Sequence, residues 1–193
     1  MRLFLGLWPS PAALDALVRA SEQLRRAAPH RSLRSIPPDQ IHLTLRFLGE
    51  IPDAEAPRLA ESLHHALAGH HAPLLQLGRP GAFPSVARPR VIWVGLGSVP
   101  PQLLNIHQAL AAALAAWPWV QPEDHPFHPH FTLARLNPVP NAALRSLREA
   151  LERGTTPAAE PWVSPGVRLV RSRLDSSGAT YETLDSIPLL TTR

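Results

Sequence analysis

The chain has 193 residues and contains neither cysteine nor lysine. Without cysteine there is no disulfide, no thiol nucleophile and no thiolate-held zinc. Without lysine there is no Schiff base, no adenylated lysine and no P-loop lysine. All 19 basic residues are arginine, whose charge persists far above neutral pH. No apolar run approaches the ~20 residues that a bilayer span requires. The apolar start, MRLFLGLWPSP, is short and lacks a basic leader and a small-residue cleavage site, so it reads as a first strand and not as a signal peptide. These absences point to a cytoplasmic protein without a membrane partner.

Hydrophobic residues make up 45% of the chain, enough for a packed core. The length suits one large domain, or two lobes sharing a core, over residues 1–193. The formal charge of +4 suits an anionic partner such as RNA, although composition bias toward arginine accounts for as much. The 23 prolines are scattered through loops and element ends, and no long linker stands out.

Segments of period 2 and period 3.6 alternate, which predicts mixed α and β structure. Arg2–Trp8 reads as a buried strand. Ser10 is an N-cap with Pro11 at the first helical position, and the helix runs to Ala27 with Leu14, Leu17, Val18 and Leu24 on one face. Ile41–Leu48 reads as a strand, and Asp53 caps a helix bearing Leu59, Leu63 and Leu67. Leu74–Leu77 and Arg90–Leu96 read as strands flanking a turn-rich loop, Gly78–Pro89. A helix over Pro101–Ala116 carries Leu103, Leu104, His107, Leu110 and Leu114. The strand His128–Leu136 follows, then a helix capped by Asn141 and ended by Gly154. Val167–Leu174 and Thr180–Ile187 read as a closing hairpin with the turn Asp175-Ser176-Ser177-Gly178.

One pattern occurs in both halves: His-hydrophobic-Thr-Leu, at His42-Leu43-Thr44-Leu45 and at His130-Phe131-Thr132-Leu133. Alternate residues of a strand share a face, so His42, Thr44 and Arg46 should point one way and Ile41, Leu43, Leu45 and Phe47 the other. An imidazole, a hydroxyl and a guanidinium together suit a phosphate: a proton carrier, a hydrogen-bond donor and a fixed positive charge. His130 and Thr132 repeat the arrangement. Arg135 is out of phase and reaches the site only if the strand ends or bulges near Ala134. A single His-x-Thr is an ordinary half-buried pair; the two copies carry the signal.

These motifs resemble the paired signatures of the 2H phosphoesterase superfamily. With Arg2–Trp8, IHLTLRFLGE at 41–50, Gly81-Ala82-Phe83-Pro84, Arg90–Gly95, HPHFTLAR at 128–135 and the closing hairpin, the chain resembles the RNA 2′,3′-cyclic phosphodiesterases, long called 2′-5′ RNA ligases. The resemblance implies a bilobal α+β fold, with two antiparallel sheets and outer helices facing each other across a pseudo-twofold cleft. It implies hydrolysis of a 2′,3′-cyclic phosphate at an RNA end to a 2′-phosphate, with reversible 2′-5′ ligation and no metal or cofactor. By resemblance His42 is the proton donor and His130 the proton acceptor; the residues alone leave those roles open. Thr44 and Thr132 would donate to the non-bridging oxygens, and Arg135 and Arg46 would hold the phosphate.

Other features have a functional and a plain reading. His125, His128 and His130 invite a metal, but Pro126 and Pro129 break the run and no carboxylate sits at metal-motif spacing. His64, His65, His70 and His71 read as a solvated helix end. Phe83 either stacks on an RNA base or anchors its own loop. Tyr181 either bonds in the cleft or packs in the hairpin. Arg168, Arg171 and Arg173 form either an RNA-guiding strip or the wet face of a sheet. A monomer is the expected state. The alternatives to the leading reading are a 2H enzyme for another cyclic phosphate or a 2′-5′ linkage, and a non-catalytic module that binds RNA ends.

Overall fold

The computed structural model describes residues 1–29, 31–123, 125–175 and 178–191. Strand β1 spans Arg2–Leu7 and helix α1 Pro11–Ala27. The Ser10 hydroxyl accepts from the Ala13 amide at 3.2 Å, the cap that the sequence predicts. Then come β2 (Leu33–Ser35), β3 (Leu43–Glu50), α2 (Ala56–Leu67), β4 (Leu74–Leu75), β5 (Leu77–Ser85) and β6 (Arg88–Leu96). The second half adds α3 (Pro101–Leu114), β7 (His130–Leu136), α4 (Arg145–Arg153), β8 (Trp162–Val163), β9 (Gly166–Asp175) and β10 (Gly178–Pro188).

The strands form one antiparallel path, β10-β9-β1-β3-β7-β6-β5, with β2 on the flank of β7 and β4 paired separately with β8. The two sheets expected from the resemblance are the two halves of this path. They meet at a narrow seam, where β3 and β7 pair at Leu43 and Phe131. The halves are interlaced. Helices α1 and α4 pack together against β7 and β5, while α2 and α3 pack against β10 and β3. Each half therefore takes a helix from the other half of the chain. The helices cover one face of the sheet, and the cleft lies on the other.

Periodicity explains the covered face. Leu59, Leu63 and Leu67 of α2 and Leu103, Ile106, Leu110 and Leu114 of α3 are buried, each worth roughly 1.5–3 kcal/mol relative to exposure. In β1, Leu3, Leu5 and Leu7 point to this core. Phe4 and Gly6 point to the cleft.

Several expectations need correction. The loop expected over Gly78–Pro89 is a tight hairpin of β5 and β6, so Phe83 sits in a strand opposite Val91. Its glycines and prolines suggest a loop, but β5 is an edge strand, where proline is tolerated. Gly81 is required because the Trp93 ring lies where its Cβ would be. Asp53 does not cap α2: it lies in a 3₁₀ turn, and Glu55 precedes the helix without a side-chain cap. Phe47 is 65% exposed and Leu104 is 42% exposed, so neither joins the core. Strand β2 has no period to betray it. The turn expected at Asp175-Ser176-Ser177-Gly178 falls partly on Ser176 and Ser177, outside the described residues.

Candidate active site

The seam between the halves sets the geometry. Leu43 is opposite Phe131. Continuing that antiparallel register by one residue each way puts His42 across from Thr132 and Thr44 across from His130. Two histidines and two threonines thus occupy one patch of the cleft face, with like residues on the diagonals.

Each histidine is held the same way. His42 Nδ1 donates to the Gln40 carbonyl at 2.7 Å, and His130 Nδ1 donates to the His128 carbonyl at 2.6 Å. A carbonyl only accepts, so the Nδ1 proton is fixed in both rings and Nε2 is the nitrogen left for chemistry. The sequence does not reveal this partner, because a backbone oxygen two residues back leaves no mark in residue types.

The surroundings differ. His42 stacks on Phe4 (centroids 4.7 Å apart, 26° between planes) and on Trp8 (5.1 Å, 20°), with Tyr181 edge-on at 5.4 Å. Gly6 makes this possible: a Cβ there would lie 3.3 Å from both His42 Cδ2 and Trp8 Cζ3. Burial lowers His42 from the usual 6.5 to about 4; its bond to the Gln40 carbonyl opposes the shift, and the His130 charge adds to it. Around His130 stand Phe83, edge-on at 5.0 Å, and Trp93 at 6.1 Å, with His128 packed against both aromatics. His130 is also lowered, first by burial, with the His128 carbonyl opposing and the His128 charge assisting.

The two arginines of the motifs part company. In β7 the register slips between Ile92 and Trp93, so Leu133 bulges. Leu133 and Ala134 are both buried, and Arg135 returns to the face of His130 and Thr132. Its charge is felt at Tyr181, where burial raises the phenol and the charges of Arg135 and Arg2 oppose that. The same bulge falls at Leu45 in β3, between the pairs Thr44–Gly6 and Arg46–Leu5. There it turns Arg46 away from the cleft and into the helix side. Arg46 is 8% exposed, pairs with Glu123 at 2.8 Å and donates to the Gln121 carbonyl at 2.7 Å. It does not join the site, contrary to strict alternation. Phe47 takes the cleft-face position instead and lies 6.2 Å from Phe4.

Trp8 also carries Arg168, whose guanidinium is 4.7 Å from the ring centroid. Phe4, Trp8 and Trp93 neighbour the motif histidines, and Arg34 of β2 lies opposite Arg135, though the motif includes none of them; alternation along Arg2–Trp8 and β6 is the signal that exposes the first three. His64 bonds Asp185 at 2.8 Å on the helix side, far in register from the motif histidines. Among the described residues, no group of three or more His, Cys, Asp or Glu side chains is placed to hold a metal ion. No helix is long and apolar enough to cross a membrane.

The chain is similar in sequence and fold to known proteins. The family model of the 2′-5′ RNA ligase superfamily matches residues 11–174. An RNA 2′,3′-cyclic phosphodiesterase of Aeropyrum pernix is 34% identical over 79% of this chain and 84% of its own. One of Thermus thermophilus is 33% identical over 98% and 90%. Among solved structures, TT0787 of Thermus thermophilus superposes with a TM-score of 0.80 at 30% identity, covering 98% of both chains. Escherichia coli LigT complexed with 3′-AMP shares the fold, with a TM-score of 0.72 at 22% identity over 97% of both chains. The chain belongs to the 2′-5′ RNA ligase superfamily.

Proposed function

We propose that this protein is an RNA 2′,3′-cyclic phosphodiesterase that works by two-histidine acid–base catalysis. One observation carries the reading: two imidazoles on one cleft face, each with Nδ1–H tied to a backbone carbonyl, leaving two Nε2 atoms for proton transfer. The names of the Aeropyrum and Thermus relatives support the substrate.

In this reading water attacks phosphorus from the β7 side while His130 Nε2 takes its proton. The bond from phosphorus to the ribose 3′-oxygen breaks, and His42 Nε2–H gives that oxygen a proton. The product carries a 2′-phosphate and a free 3′-hydroxyl. Burial favours the neutral form of both rings at pH 7. That suits His130 as the base. His42 must gain its proton as the phosphodiester enters, because the anion raises the pKa of a nearby imidazole. Thr44 and Thr132 donate to the non-bridging oxygens as charge builds there, and Arg135 holds the phosphate. Phe83 offers a base-stacking surface beside His130. With an RNA 5′-hydroxyl attacking phosphorus in place of water, and the 3′-oxygen leaving as before, the same groups would run 2′-5′ ligation. The reading uses no metal or other cofactor, one copy of the chain and a cytoplasmic setting.

The test is hydrolysis of a cyclic-phosphate-ended RNA in EDTA by the wild type, His42→Ala and His130→Ala. The wild type should yield a 2′-phosphate, and each variant should lose about 10²–10⁴-fold while remaining folded. Activity that returns only with added metal, or that survives in both variants, would overturn the mechanism.

A further inference from the structure

The edge strand β2 pairs with the end of β7, and its register sets Arg34 directly opposite Arg135. Directly opposed residues of an antiparallel pair project from the same face, so both guanidiniums stand on the cleft face. That face already carries His130 and Thr132. Like charges in such a pair destabilise a sheet. The arginine ion pairs among the described residues involve Arg46, Arg58, Arg145 and Arg173; none neutralises Arg34 or Arg135. Both are exposed. The same strand buries Leu33 in the core, which fixes the backbone of β2 at Arg34.

An uncompensated pair of guanidiniums becomes favourable when an anion lies beside it, and arginine's planar fork matches phosphate oxygens. Arg135 shares the cleft face with His130 and Thr132, and its charge acts on Tyr181. Arg34 lies one strand further along the cleft. We propose that Arg34 forms a second phosphate subsite, which takes the internucleotide phosphate on the 5′ side of the terminal ribose, so that the cleft selects RNA ends over cyclic mononucleotides. This rests on the cyclic phosphodiesterase reading and deepens it, because a cyclic mononucleotide with a 5′-hydroxyl has no such phosphate.

The experiment compares wild type and Arg34→Gln on a cyclic-phosphate-ended dinucleotide, on the same dinucleotide with a neutral methylphosphonate linkage, and on a cyclic mononucleotide. Arg34→Gln should lower kcat/KM on the charged dinucleotide by about tenfold or more, the worth of one charge-assisted contact, and on the mononucleotide by much less. The neutral linkage should cost the wild type a similar factor and cost the variant little more. The salt dependence on the charged dinucleotide should flatten by roughly 0.7 in the log–log slope. An equal loss on dinucleotide and mononucleotide, or an equal cost of the neutral linkage to both proteins, overturns the subsite. If neither protein opens any ring, the catalytic reading fails by itself. Binding of the same three compounds then decides: a preference for the charged linkage that Arg34→Gln abolishes upholds the subsite, and no preference in the wild type overturns it.

Discussion

The two His-x-Thr strands are an experiment inside one chain: the same four-residue pattern in two settings. In both, histidine donates to the carbonyl two residues earlier, and in both the leucine after threonine bulges. The backbone therefore fixes where each Nε2 points. What differs is the neighbouring strand. Beside β3, β1 offers Gly6 opposite Thr44 and Trp8 stacked on His42; beside β7, β6 offers Trp93 opposite Thr132 and Gly95 opposite His130. Small and large residues trade places. After the bulge, β3 sends Phe47 to the cleft and β7 sends Arg135. Backbone symmetry sets the two histidines alike, and side-chain asymmetry puts a phenylalanine on one strand where the other has an arginine.

The largest effect should come from testing the symmetric part. Thr44→Val and Thr132→Val keep shape and strand propensity and remove one donor each. If the phosphate sits at the centre of the patch, each should lower kcat by up to about 10²–10³-fold, the range for one lost oxyanion donor, with the melting temperature nearly unchanged. Turnover measured on the cyclic-phosphate-ended RNA checks this. A large loss for one threonine and none for the other would place the phosphate against a single strand and break the symmetry.

How much of this was legible follows from the same comparison. The strands, the main helices and the four motif residues could be read because their signals are local: alternation, helical spacing and a cap at Ser10. The bulges could not, since Leu45 and Leu133 look like any strand leucines; their displacement shows only in the register with β1 and β6. That one hidden feature reverses both arginine positions, sending Arg46 to Glu123 and Arg135 to the cleft. The β5–β6 hairpin was obscured because Gly81 and Pro84 serve packing against Trp93 and an edge strand. Strand β2, at three residues, is created by its partner and not by its own sequence.

A smaller effect sharpens the asymmetric part. The His42 imidazole is held at about 4 by its aromatic wall, against 6.5 for the ordinary group. Between those values the unfolded chain binds the proton more readily than the folded one. The sign follows: the contribution of His42 to stability is whole above about pH 6.5 and is lost as the pH falls toward 4, with a ceiling of roughly 3 kcal/mol. His130 is displaced in the same direction. Urea unfolding from pH 7 to pH 4.5 should show the wild type losing stability more steeply than His42→Gln, which cannot titrate. Parallel curves would mean that burial does not exclude the charged ring of His42, and the two histidines would then differ in charge while agreeing in backbone.

The smallest effect concerns the glycines on which the two walls rest. A Cβ on Gly81 would fall 2.7 Å from Trp93 Cζ3 and closer still to two other ring atoms, whereas one on Gly6 would meet the Leu43 carbonyl oxygen at 3.1 Å and the His42 and Trp8 rings at 3.3 Å. Neither glycine has positive φ, so space alone is at issue. Gly81→Ala must displace the Trp93 indole, at about 1–3 kcal/mol by the usual cost of overpacking, and that opens the nest around His130. Gly6→Ala needs shifts of only tenths of an ångström, so it should cost less stability. Those shifts fall on His42 itself, so its kcat should drop severalfold for little change in unfolding. Urea denaturation beside kcat for both variants separates the cases. Wild-type stability in Gly81→Ala would show that Trp93 is free to move, and the β6 wall would then be a loose surface where the β1 wall is a fixed one.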